Sequence, residues 1–206
     1  IEIIERLLAS EALAEGRIPL QAERIDVSQV ARESAAALDS RASAKLQRVE
    51  LDSPAVALVH ADPRLLRQIL DNLLDNAIKY SPQAGTIRIT VRADGDHVRV
   101  EICDEGPGLS SEDYAHLFER FQRLSAQPTG GESSTGLGLS IVKQLVGLHG
   151  GRVWAESEGL GRGTTFIVEL PLAEESLAPR ETETAPAPRR TANLQRRRIL
   201  LVEEQP

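Results

Sequence analysis

"DNLLDNAIKYSP", residues 71–82, sets Asn72 and Asn76 four positions apart inside an otherwise strong helical pattern. Asparagine is a weak helix former that competes for backbone hydrogen bonds, so the pair asks for a reason. Reading backwards, "ADPRLLRQ" supplies the helix start: Asp62 can accept the free first-turn N–H groups, and Pro63 occupies the first helical position, which tolerates it. The helix is expected to reach about Tyr80 and to end before Pro82. On a helical projection Leu66, Ile69, Leu70, Leu73, Leu74, Ala77 and Ile78 fill one half, and Gln68, Asp71, Asn72, Asp75, Asn76 and Lys79 the other. Two readings of the polar half stay open. It is either a solvated face, or a ligand face whose two amide oxygens and Lys79 hold a hydrated Mg²⁺ and a phosphate.

Working outward, "TIRITVRA" and "HVRVEICD", joined by "DGD", read as a β-hairpin, and "RVELDS" and "AVALVH" as earlier strands. Asp26 or Ser28 caps a helix to about Lys45, and "SSEDYAHLFERF" reads as a short capped helix. Residues 122–136 are rich in Gly, Ser, Thr and Pro, as befits a mobile loop. A helix over Leu137–His149 is closed by Gly150 and Gly151, and "GRVWAESE" and "GTTFIVELP" form a last strand pair. The fold class is α/β, an α+β two-layer sandwich with a mixed sheet and helices on one face.

The 206 residues carry a net charge of −7 and one cysteine. An acidic balance argues against a general nucleic-acid binder, and an anionic ligand has to be held by local geometry. Cys103 excludes an intramolecular disulfide and a cysteine-built zinc site, and is expected to be a small buried strand residue. No apolar run approaches the roughly 18 residues of a membrane span. Ile1 in place of methionine reads as the start of a piece of something longer.

Two glycine-rich stretches complete the chemistry. "DEGPGL", Asp104 to Leu109, follows a strand; Gly106 and Gly108 allow a tight turn, and the carboxylate can accept from an amino group. In "GLGLSIVK", Gly136 and Gly138 open a helix whose free N–H groups can meet phosphate oxygens. Each alone is weak, equally an ordinary turn or helix entry, and neither is a Walker-type P-loop.

In this order the motifs are far more specific. "NLLDNAIKYS", "DEGPGL", "LFERFQR", "GLGLSIV" and "GTTFIVELP" resemble the N, G1, F and G2 boxes and closing strand of the catalytic ATP-binding domain of sensor histidine kinases, in the superfamily that includes gyrase and MutL. The resemblance covers about residues 1–172 and implies a Bergerat-type ATP site. It implies Asn76 as the Mg²⁺ ligand helped by Asn72, with Lys79 and Tyr80 over the phosphates and nucleotide. Asp104 would take the adenine amino group, with Gly106, Gly108 and Leu109 shaping its pocket. Gly136, Leu137, Gly138 and Leu139 would present N–H groups to the phosphates beneath a lid over 122–136. Arg123 would face the phosphates, Thr165 would lie near the adenine, and Phe118 and Phe121 would dock the lid on the core. Relatives that hydrolyse ATP carry a glutamate where Asn72 stands, so the resemblance favours transfer to a protein.

The implied cofactors are ATP and Mg²⁺. The implied partners are the dimerisation (histidine phosphotransfer) domain of the same kinase and a response regulator receiver domain, without nucleic acid; the domain is expected to be cytoplasmic, in a homodimeric parent for which a membrane anchor stays open. None of His60, His97, His116 and His149 stands in a phosphoacceptor setting; all four read as structural. The domain organisation expected is 1–47, the end of a dimerisation helix and a connecting helical segment; 48–172, the ATP-binding domain; 173–197, a disordered linker; and 198–206, either a truncated start of a receiver domain or a basic-then-apolar tail without function. Rival readings are a serine kinase of the anti-sigma-factor type, disfavoured by helical residues 1–45, and a nucleotide-binding scaffold without transfer, disfavoured by Asn76, Asp104 and Gly136. A DNA-topology or repair ATPase predicts a glutamate at Asn72 and a more basic surface.

Overall fold

The computed structural model describes residues 19–53, 55–122, 126–131 and 135–173. Residues 1–18 of the helical segment expected over 1–47, Arg123, the expected linker beyond Ala173 and the segment 198–206 lie outside the described residues.

Strand β1 (Glu23–Asp26) runs directly into helix α1 (Val27–Ala44), and Asp26 serves both. Its Oδ1 accepts from the N–H of Ser28 at 3.0 Å, capping α1, and from that of Ala57 at 3.1 Å. Strands β2 (Arg48–Asp52) and β3 (Leu58–Ala61) follow, then helix α2 (Pro63–Tyr80) and the hairpin β4 (Thr86–Asp94) and β5 (His97–Asp104). The short α3 (Ser111–His116), α4 (Gly138–Leu148), β6 (Arg152–Glu156) and β7 (Thr164–Pro171) complete the body.

β1 pairs antiparallel with β3, and the five-stranded sheet has the order β2-β4-β5-β7-β6. Only β2 with β4 is parallel; β4–β5, β5–β7 and β6–β7 are antiparallel. The inward set Ile87, Ile89 and Val91, Val98, Val100 and Ile102, and Val168 and Leu170 is buried against the helices. All seven apolar residues of α2 named from its periodicity are buried, each at 2% exposure or less. A fully buried aliphatic side chain contributes about 1.5–3 kcal/mol, so this half of α2 fixes the helix on the sheet.

β1 was not expected, and it binds α1 to the body: α1 packs on α2, and Glu23 stands opposite Ala61. The other sheet face carries ion pairs, Arg88 with Glu50 at 3.5 Å and Arg92 with Asp52 at 3.2 Å, and is exposed toward β2 and β4, while Ile167 and Glu169 on β7 are buried. Cys103 lies on that face and is exposed, which corrects the expectation of a buried thiol. It alternates with Ile102 and Asp104, and those two take the inward positions.

Candidate functional site

The polar half of α2 is not a solvated face. Gln68, Asp71, Asn72, Asp75, Asn76 and Lys79 are all half-buried. Nδ2 of Asn72 and Nε2 of Gln68 are buried without a hydrogen-bond partner among the described residues. An unmet buried donor costs about 1–3 kcal/mol, and a ligand that accepts from it recovers part of that cost. The opening glycine of α4 faces this ladder: a Cβ on Gly138 would stand 3.9 Å from Asn72 Oδ1.

α4 has Leu137 at its N-cap and no side-chain cap, so its first-turn N–H groups lack a capping side chain. Gly136 sets this geometry. Its φ is 67°, and a Cβ there would meet the Gln122 carbonyl at 2.5 Å. That carbonyl approach is closed to any other residue. Leu137 is buried and Leu139 packs against the core, so the helix start is held by apolar anchors on either side of Gly138.

Asp104 ends β5 at 6% exposure. Its Oδ1 accepts from the N–H of Gly106 at 2.8 Å and of Thr164 at 3.3 Å, leaving Oδ2 for an outside donor. Burial pushes its carboxyl up to about 6, against the two N–H groups, which favour the charged form. Gly106 is required here, since a Cβ would sit 2.7 Å from Asp104 Oδ1 and 3.1 Å from the Tyr80 carbonyl. That contact joins the end of α2 to the turn after β5. Gly108 approaches the Gly159 carbonyl instead, and the Leu109 N–H donates to Ser157 Oγ at 3.2 Å, so both brace the turn from behind.

Two expectations need correction, those for Thr165 and Phe121. Thr165 does not share Asp104's face: it pairs with Cys103, and Thr164 is the partner of Asp104. Directly paired residues project to the same side, so Thr165 belongs to the outer surface. Lys79, on the same helix face as the asparagines, holds Asp75 Oδ2 with its Nζ at 2.7 Å. Phe121 does not dock on the core, being 67% exposed at φ 62°, whereas Phe118 packs against it beneath Lys143 Nζ, 5.8 Å from its ring.

The segment following Gln122 touches α2 at Thr129. Its N–H donates to the Lys79 carbonyl at 2.9 Å, and its Oγ1 to the Ser81 carbonyl at 2.7 Å. His149 is structural, as expected: Nε2 accepts the Asp62 N–H at 3.0 Å, while Nδ1 donates to the Leu145 carbonyl at 2.8 Å. The residues that sequence reasoning missed are Thr164, Gly163 and Asp75. The alternation of β7 signals the first only once its register against β5 is known.

Residues 61–174 match the family described as histidine kinase-, DNA gyrase B- and HSP90-like ATPase. The chain is 35% identical over 208 residues to the circadian input-output histidine kinase CikA of Synechococcus elongatus, covering 100% of this chain and 27% of that one. Full-length ShkA in complex with AMPPNP superposes with a TM-score of 0.71 at 33% identity, over 84% of this chain and 35% of that one. Histidine kinase ThkA in complex with response regulator protein TrrA gives 0.65 at 25% identity, over 84% of this chain and 49% of that one. The chain thus spans well under half of the curated relatives it matches. By these matches and by the site its own motifs assemble, the chain belongs to the histidine kinase-, DNA gyrase B- and HSP90-like ATPase family, as a catalytic ATP-binding domain of the sensor histidine kinase type.

Proposed function

We propose that this domain holds Mg²⁺-ATP for transfer of its γ-phosphoryl group to a histidine on a dimerisation domain of the same kinase, for onward relay to a response regulator receiver domain. The observation that carries this reading is the pairing of a base-reading carboxylate with an uncapped helix start. Asp104 has one carboxylate oxygen fixed by two backbone N–H groups, while α4 starts without a side-chain cap and its Gly138 lies beside Asn72. The domain is read as the cytoplasmic part of a homodimeric kinase, with a membrane anchor elsewhere in the parent left open. No helix among the described residues is long and apolar enough to cross a membrane.

The side chains present fit a hard cation. Asn76 makes no side-chain hydrogen bond to the described residues, and Asn72 presents an amide whose Nδ2 is unmet. Amide oxygens on successive turns suit Mg²⁺, which keeps several waters and takes few protein ligands. When bound, Mg²⁺ supplies charge neutralisation between phosphate oxygens.

The chain's own part is positioning. Asp104 orients the base, the α4 N–H groups hold phosphate oxygens, and Lys79 offsets their charge. An amide at Asn72 cannot act as a base toward water, which supports transfer over hydrolysis. The test is phosphotransfer to a supplied dimerisation domain with the unaltered protein and with Asn76→Ala. Labelled histidine with the former and loss of at least about a hundredfold with the latter is expected. Free phosphate release without a labelled histidine would contradict the reading.

A further inference from the structure

Lys79, the cation expected at the phosphates, is held in this structure by a carboxylate one turn back. Its Nζ lies 2.7 Å from Asp75 Oδ2, with the two side chains 18% and 21% exposed. An ion pair this sheltered is screened less than a surface pair, so Asp75 competes with any phosphate for Lys79. It also places a negative charge beside the two asparagines on the same helix face, where a triphosphate brings more. Asp75 would therefore oppose nucleotide binding unless its charge were met from elsewhere.

It is met from α1. Arg41, in the last turn of that helix, pairs through Nη1 with Asp75 Oδ1, so each carboxylate oxygen has its own cation. The pairing crosses the α1–α2 contact that also carries Arg67 between Glu33 and Asp71, with Arg67 Nε 2.8 Å from Asp71 Oδ1. The two arginines differ in what lies behind them. Arg67 and its carboxylates stop at the helix surface, whereas Arg41 reaches Lys79 through a single shared carboxylate.

We infer that Arg41 is a positioning residue for the nucleotide phosphates: by sharing the charge of Asp75 it weakens that carboxylate's hold on Lys79, so that a phosphate can compete for the lysine, and reduces a repulsion at the site. The inference rests on the nucleotide reading of this site and deepens it. It assigns a role to α1, a helix outside the sequence motifs, in setting phosphate affinity. Arg41 itself is 44% exposed and touches no ligand in this account.

The test compares ATP and AMP by calorimetry in the presence of Mg²⁺, for the unaltered protein, Arg41→Gln, Arg41→Lys, Asp75→Asn and the double variant Arg41→Gln/Asp75→Asn. Arg41→Gln is expected to weaken ATP about fivefold and to leave AMP unchanged, with Arg41→Lys restoring most of the loss. In the Asp75→Asn background Arg41→Gln is expected to have no effect on ATP. Equal loss for ATP and AMP would mark a merely structural role, and a full effect of Arg41→Gln without Asp75 would show direct attraction; either overturns the inference. Absence of ATP binding by the unaltered protein would overturn the nucleotide reading, and this inference with it.

Discussion

His149 Nε2 accepts the backbone N–H of Asp62 at 3.0 Å, tying the last turn of α4 to the start of α2. Because Nδ1 donates to the Leu145 carbonyl at 2.8 Å, both nitrogens are used and the ring is held in one tautomer. Asp62 in turn caps α2 through Arg64 N–H at 3.1 Å. Burial pushes its carboxyl up, but hydrogen bonds from Arg64 and from the N–H groups of Gln21 and Arg64, with the Arg64 charge, outweigh this and hold it below its usual range.

Replacing His149 with alanine leaves the Asp62 N–H and the Leu145 carbonyl unmet in a buried place. The expected cost is about 1–3 kcal/mol of stability, read from urea unfolding, and ATP affinity measured on the folded fraction is expected to hold.

Asp104 gives a pH dependence of definite sign. Its folded-state value of about 6 lies above the ordinary 3.8, so on raising the pH the unfolded chain gives up this proton first. Asp104 therefore costs nothing at low pH, destabilises increasingly between those two values, and carries its full cost above about 6. Asp104→Asn is expected to stabilise the ligand-free protein at neutral pH by about 1–2 kcal/mol, and to give no gain near pH 3. Thermal unfolding across that range checks it.

Nucleotide binding should show the complementary profile. The amino group of adenine needs the charged carboxylate, so ATP affinity is expected to be flat near neutrality and to fall about tenfold per unit well below the folded-state value. The fall should be absent in Asp104→Asn.

Gly163 is the backbone hinge of the Asp104 site. Its φ is 70°, and a Cβ there would stand 2.1 Å from the Asp104 carbonyl, whereas Gly95, at φ 63°, has nothing within 4 Å. Gly95→Ala is expected to cost only its conformational strain, about 1 kcal/mol, while Gly163→Ala costs more and also weakens ATP. Chemical unfolding and ATP titration on both variants separate the two effects.

Helix α2 was legible from its residues because three independent signals agree: the cap at Asp62, the proline at the first position and an unbroken apolar half. β1 was not, since "ERID" is short and polar and its strand character comes from pairing with β3, more than thirty residues away. The outward position of Cys103 was legible in the alternation of Val98, Val100 and Ile102, which puts the next residue on the opposite face. That Thr164 rather than Thr165 stands beside Asp104 depends on the register of β5 against β7, a pairing of distant segments. Asn72, Asn76 and Asp104 could be named because their motifs are contiguous, whereas Arg41 and Asp75 meet only through the packing of two helices.

The most direct test of the account is a calorimetric titration of Mg²⁺-ATP at neutral pH into the unaltered protein and Asp104→Asn, each with its thermal unfolding curve. The account predicts saturable binding by the first, and for the second a higher unfolding temperature with binding lost by at least about a hundredfold. Undiminished ATP binding by a folded Asp104→Asn protein would contradict it, because the base would then be held somewhere other than the end of β5.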